Sequence, residues 1–125
     1  MTKVGEHITL DIIGTDKEYD PSVYERVINE IAKVAKVTIL NISKYKFEPQ
    51  GFTILALLAE SHISFHTFPE KGIISFDFFT CGKISPSIAI DIVKALKDRK
   101  ACLMSNHGQV ALEKIYLKHL NLHKR

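Results

Sequence analysis

Phe65-His66-Thr67-Phe68-Pro69-Glu70-Lys71-Gly72-Ile73-Ile74-Ser75-Phe76-Asp77-Phe78-Phe79 holds two β-rich runs on either side of four turn formers, and it reads as an antiparallel hairpin. With Phe68 facing Ile73, the register sets His66 opposite Ser75, Ser64 opposite Asp77, and the Glu60-Ser61 peptide beside Thr80-Cys81. Alternation then sorts the side chains. Ile63, Phe65, Ile74, Phe76 and Phe78 make an apolar face; His62, Ser64, His66, Ser75, Asp77 and Cys81 make a polar one. Ser61 is an odd number of steps from His66, so cooperation between them requires the chain to bend or bulge near Ser61.

Working outward, residues 8–13 alternate Ile8, Leu10 and Ile12 with Thr9 and Asp11 and stop at Gly14-Thr15-Asp16, which predicts a strand. Asp20-Pro21 predicts a helix start, with Val23, Val27, Ile31 and Val34 as its apolar stripe and Glu25, Arg26 and Lys33 outside it. Residues 37–42 form the next strand, and residues 51–59 a nearly all-apolar one. Ser85-Pro86 repeats the cap-plus-proline start, with Ile88, Ile92, Ala95 and Leu96 inward and an end near Asp98. Residues 101–104 read as a final strand, and the leucines from Val110 onward as a terminal helix or frayed extension. This order gives an α+β two-layer sandwich, an antiparallel sheet with two helices on one face. Because residues 51–59 are apolar on both sides, the second sheet face is expected to be covered by another subunit.

A chain of 125 residues is expected to be a single domain, 1–125. It lacks the roughly 20-residue apolar run of a membrane span, and Met1-Thr2-Lys3-Val4-Gly5-Glu6-His7 has no signal-peptide pattern, so a cytoplasmic location is expected. The net charge of +3 sits largely in the tail from Lys114 to Arg125 without interleaved aromatics, which argues against nucleic acid. Cys81 and Cys102 lack metal-type spacing and are expected to be reduced. His62 and His66 are four residues apart but have no clear third ligand, so no metal is expected. Taken singly, Ser61 is a turn residue, Cys81 a small buried hydrophobe, and Ser64 with Asp77 a cross-strand hydrogen bond; Cys102, His107, His119 and His123 are bystanders. A non-catalytic module binding RNA or a protein through exposed Phe and Tyr is the contrasting class.

Ala59-Glu60-Ser61-His62-Ile63-Ser64-Phe65-His66-Thr67, followed by Pro69-Glu70 and then Asp77-Phe78-Phe79-Thr80-Cys81-Gly82, resembles the short prokaryotic S-adenosylmethionine decarboxylases. These are pyruvoyl enzymes that cleave themselves to make their own cofactor. The likeness runs from Gly5 to about Met104. It implies a break at Glu60-Ser61 into chains 1–60 and 61–125, with Ser61 becoming the pyruvoyl group that forms a Schiff base with the substrate amine. It implies His66 as processing base, Cys81 as proton donor, and Thr53, where the family generally has serine, as an aid to processing. Adenosine would be held by Phe47, Phe68 and Glu70, through aromatic stacking and a carboxylate on the ribose. Phe68 stands where tryptophan is usual and Lys71 where an aromatic is common. The resemblance further implies no metal and a homodimer or larger assembly of cleaved protomers with active sites at subunit interfaces. The product would be the aminopropyl donor for spermidine synthesis; arginine or ornithine decarboxylation by the same machinery is the runner-up. The residue types suit the chemistry. The Ser61 hydroxyl is held beside the preceding carbonyl at high effective concentration, and an imidazole suits proton removal near neutral pH.

Overall fold

Period-two alternation builds the sheet. In the computed structural model, which describes residues 4–15, 19–98 and 115–120, six strands form one antiparallel sheet. They are β1 (Glu6–Ile13), β2 (Ile39–Lys46), β3 (Phe52–Leu58), β4 (Ser61–Phe68), β5 (Ile73–Thr80) and β6 (Ile115–Leu120), in the order β2-β3-β4-β5-β1-β6. The β4–β5 register is the one the hairpin predicts: Phe68 pairs with Ile73, His66 with Ser75, Ser64 with Asp77 and Ser61 with Thr80. A short 3-10 turn at Pro69–Lys71 joins the strands, and Gly72 closes it at φ 67°, a backbone angle that glycine adopts without strain.

Helix α1 (Pro21–Ala35) starts where Asp20 caps it, the carboxylate accepting from Ser22 N, and it ends at Lys36 in the left-handed conformation. Val23, Val27 and Ile31 point inward as the spacing predicts, joined by Tyr24, Ile28, Ala32 and Ala35. They pack on the sheet face made by Ile8, Leu10, Ile12, Ile54, Ala56, Ile63, Phe65, Phe76 and Phe78. Tyr24 lies edge-on to Phe52 at 4.9 Å and tilted over Phe65 at 5.2 Å, geometry that aromatic quadrupoles favour.

The second helical segment is less regular than its sequence suggests. Ser85 caps a 3-10 turn, Pro86–Ala89, which leads into α2 (Ile90–Lys94) and a second 3-10 turn, Ala95–Asp98. Three residues per turn instead of 3.6 rotates the first turn, so Ile88 is exposed while Ala89, Val93 and Leu96 are buried. The strand expected at residues 101–104 lies outside the described residues. Residues 115–120 are a strand, neither the terminal helix nor the frayed extension read from the leucine spacing: the segment pairs antiparallel with the outer edge of β1. Ile115 and Leu117 fit a period of two as well as Leu117 and Leu120 fit a helical one, and the hydrogen-bonding edge that β1 offers decides between them.

Both helices cover one face, leaving the other open. Across the open face run three rungs: Asn41, Leu57, His62, Phe79, His7; Ser43, Leu55, Ser64, Asp77, Thr9; and Tyr45, Thr53, His66, Ser75, Asp11. Leu55 and Leu57, on the strand that reads as doubly apolar, are 45% and 52% exposed there.

Candidate active site

Two clusters of chemistry-bearing residues sit on the open face, and a single chain keeps them apart. The first surrounds the tight turn between β3 and β4. Leu58 pairs with Ser61, leaving Ala59 and Glu60 as the turn. Ser61 carries a φ of 146°, a positive value that favours glycine and strains any residue with a Cβ. Ser61 thus departs from regular strand geometry in its own backbone angle and not by a bulge; the ladder stays in register through Ser61.

The Glu60 carbonyl oxygen accepts two hydrogen bonds from one residue, Cys81 N at 3.0 Å and Cys81 Sγ at 3.4 Å. Thr80 Oγ1 accepts from Gly82 N at 2.9 Å, closing a side-chain turn that presents Cys81 to that carbonyl. On the other flank Glu60 Oε1 accepts from Thr38 N, and Ala59 N donates to Thr38 O. The Glu60-Ser61 peptide is thus pinned from β5 and from the entry to β2. Glu60, Ser61 and Cys81, with Leu55 and Leu57, line a cavity of about 630 Å³. The sequence gives no sign of Thr38, because it acts through its backbone.

The second cluster lies at the other end of β4. Thr53 and His66 are cross-strand partners, and Thr53 Oγ1 is hydrogen-bonded to His66 Nδ1 at 2.9 Å, which fixes the ring. Phe47, Phe68, Glu70, Thr53 and His66 share a cavity of about 350 Å³. All three residues assigned to substrate binding therefore gather around the two assigned to processing. Gly51, with φ 93°, lets the backbone pass close to Thr67, where an added Cβ would stand 3.0 Å from the Thr67 carbonyl oxygen. Tyr45 packs edge-on against Phe47 at 4.8 Å. Lys71 is exposed on the hairpin turn. His66 is five residue steps along β4 from Ser61, a distance of roughly 16 Å at the usual rise per residue. Within one chain His66 is therefore not beside Ser61, although the motif holds them close in sequence.

Between the clusters, Asp77 Oδ1 accepts from Ser64 Oγ at 2.7 Å, while Oδ2 meets His7 Nε2 at 3.0 Å and His62 Nε2 at 3.3 Å. Burial raises the carboxyl pKa, but the hydrogen bonds from Ser64 and His7 and the neighbouring His62 outweigh it, leaving Asp77 below its ordinary range. A depressed folded value means that Asp77 contributes stability above the unfolded carboxylate pKa, and that this contribution is lost as pH falls through the folded value. Asp77→Asn is expected to melt at a lower temperature than wild type at pH 7 and to show a shallower loss of stability below about pH 4. Thermal melts of both proteins from pH 7 to pH 2 would measure this; parallel curves would remove Asp77 from the account.

The profile of the S-adenosylmethionine decarboxylase family matches residues 6–107. The chain belongs to that family. An S-adenosylmethionine decarboxylase proenzyme of Brevibacillus brevis is 40% identical over 100 residues, covering 77% of this chain and 75% of the relative. One from Pyrobaculum neutrophilum is 42% identical over 102 residues, covering 78% and 82%. The crystal structure of the adenosylmethionine decarboxylase from Aquifex aeolicus superposes with a TM-score of 0.74 at 28% identity, covering 97% of this chain and 92% of that one. The family and the α+β fold are as the motif implied, and the non-catalytic module is not favoured. Among the described residues no helix is long and apolar enough to cross a membrane.

Proposed function

We propose that this chain cuts itself at Glu60-Ser61 and then decarboxylates S-adenosylmethionine. The observation that carries the reading is the Glu60 carbonyl, which has two donors from Cys81 on its oxygen and a strained serine on its carbon side. Attack by Ser61 Oγ on that carbon forms a C–O bond and then breaks the C–N bond, giving an ester and a free Ser61 amine. Charge developing on the carbonyl oxygen meets donors already in place, and leaving the peptide plane relieves the positive φ. A base removes the Ser61 Cα proton and the Glu60 carboxylate departs; the dehydroalanine left behind takes up water and releases ammonia, yielding the pyruvoyl group. Residues 1–60 and 61–125 are the two products.

The residues around Ser61 fit that group, since a thiol stands beside it at the Glu60 carbonyl. The group supplies the electron sink for carbon dioxide loss. Cys81 then delivers a proton to the substrate α-carbon. His66, its ring set by Thr53 at Nδ1, is the base that takes the Ser61 Cα proton onto Nε2 as the Glu60 carboxylate leaves.

Ser61 with Cys81 and His66 with Thr53 are complementary halves on one open face, separated along β4. A homodimer with its open faces together brings His66 of one copy to Ser61 of the other, and exposed Leu55 and Leu57 supply apolar area for that contact. The substrate cavity follows the same logic. Phe47 and Phe68 offer two aromatic faces for adenine and for the sulfonium, with cation–π attraction of about 0.5–2 kcal/mol, and Glu70 offers a carboxylate to the ribose hydroxyls. The reading includes a cytoplasmic location, supported by the need to keep Cys81 reduced, and a product that serves as aminopropyl donor for spermidine synthesis.

Carbon dioxide release from carboxyl-labelled amino acids by the processed protein tests the substrate. Turnover of S-adenosylmethionine well above that of arginine or ornithine is the expected result. The reverse order would overturn the substrate while leaving the self-cleavage standing.

A further inference from the structure

Three side chains on the open face converge on one point although none of them has a part in the chemistry above. His7 comes from β1, His62 from β4 and Asp77 from β5; the two histidines flank Phe79 in the same rung, and Asp77 lies one step along. His7 Nε2 is 3.0 Å and His62 Nε2 3.3 Å from the same carboxylate oxygen, and the three ligand atoms all lie within 4.8 Å of one another.

We propose that His7, His62 and Asp77 form a binding site for a divalent transition-metal ion of the zinc type. Two imidazole nitrogens and one carboxylate oxygen are a borderline donor set that suits such ions and not magnesium or calcium, which take oxygen ligands. Metal–ligand bonds of about 2.0–2.2 Å put tetrahedral ligands about 3.3–3.5 Å apart; the carboxylate oxygen stands 3.0 and 3.3 Å from the two nitrogens, at or just below that edge, and all three atoms lie within 4.8 Å of one another. The supporting shell is also present. Ser64 Oγ holds Asp77 Oδ1 at 2.7 Å and so turns Oδ2 toward the histidines. The His7 ring stands edge-on to Phe79 at 5.7 Å, and the His62 ring tilts over it at 6.4 Å. The fourth corner faces the open side, where water or a second copy of the chain can complete the coordination.

Each Nε2 faces Asp77 Oδ2, and metal binding requires both Nε2 lone pairs free, with any remaining ring proton on Nδ1. The ion would tie β1 and β4 together across β5, beside Ser61. The expectation that no metal binds considered His62 with His66; those two lie in different clusters, and the partner of His62 is His7, brought in from β1.

Titration of metal-stripped full-length protein with Co2+ tests the site. One equivalent, with the intense visible absorption of a tetrahedral ion that Zn2+ then displaces, is the expected result. His7→Gln and Asp77→Asn lose that absorption, and Ser64→Ala weakens binding by roughly 10- to 100-fold. His62→Gln, at the more exposed histidine, serves as a second ligand variant if His7→Gln fails to fold by circular dichroism. No stoichiometric binding by calorimetry at millimolar Co2+ or Zn2+ would overturn the proposal. So would an absorption unchanged in the ligand variants, which would assign the ion to other histidines such as His107, His119 or His123.

Discussion

Ser61→Ala is expected to remain one full-length chain through any length of incubation, while the wild type resolves by intact mass spectrometry into residues 1–60 and a pyruvoyl-blocked 61–125. The expected difference is the largest here because the intramolecular attack contributes about 7–11 kcal/mol of barrier lowering through effective concentration alone, and alanine removes the only atom that can make it. Alanine keeps a Cβ at a φ of 146°, so the variant preserves the strain and isolates the hydroxyl. Ser61→Gly relaxes that strain as well and should fold at least as stably as Ser61→Ala, by about 1–3 kcal/mol. A wild type that stays whole, with no pyruvoyl-terminated fragment, would sink the self-cleavage.

His66→Ala and Cys81→Ala are expected to fail at different stages. Loss of the base stalls maturation by roughly 10²- to 10⁴-fold, at an ester that hydroxylamine cleaves. Cys81→Ala loses the thiol but keeps the backbone N–H on the Glu60 carbonyl, so it processes at least partly and then turns over slowly. A fully active Cys81→Ala would show the proton-donor assignment to be wrong. The distance between the two clusters adds a sharper arm. Co-expressed Ser61→Ala and His66→Ala chains form mixed dimers in which one site has both an intact serine and an intact base. The His66→Ala chain should then be cut, although neither variant is cut alone. Absence of cutting in verified mixed dimers would refute the exchange of His66 between copies.

How much of this was legible in the sequence depends on whether a feature is local. The β4–β5 register was readable because Pro69-Glu70-Lys71-Gly72 fixes the turn and alternation fixes the faces, and both signals span fewer than about twenty residues. The separation of Ser61 from His66 was also implicit in the spacing, but a motif compressed into nine letters suggests proximity where an extended strand imposes distance. Thr38, whose backbone clamps Glu60, has no side-chain signature at all. His7 stands 70 residues from Asp77, and only the placement of β1 beside β5 unites them. The second helix began at Ser85-Pro86 as read, yet its 3-10 turns shifted the inward set because hydrophobic periodicity assumes a uniform pitch. Residues 115–120 form a strand because the edge of β1 offers them a partner, and pattern alone cannot see an edge.

The strand order has a consequence for the protein if it is cut as proposed. Residues 1–60 own β1, β2 and β3, and residues 61–125 own β4, β5 and β6, yet the sheet runs β2-β3-β4-β5-β1-β6. A break at Glu60-Ser61 therefore leaves two polypeptides that are interleaved, with β1 of the first clasped between β5 and β6 of the second. Three ladders, β3 with β4, β5 with β1 and β1 with β6, cross between the pieces. The halves cannot part without dismantling the sheet, so dissociation and unfolding become the same event. Reassembly from separated halves would depend on their concentration, whereas the uncut chain folds in a single-molecule step. The topology thus imposes an order on the molecule's history: folding comes first, and the break is sealed into a structure that the two pieces could rebuild only by meeting again.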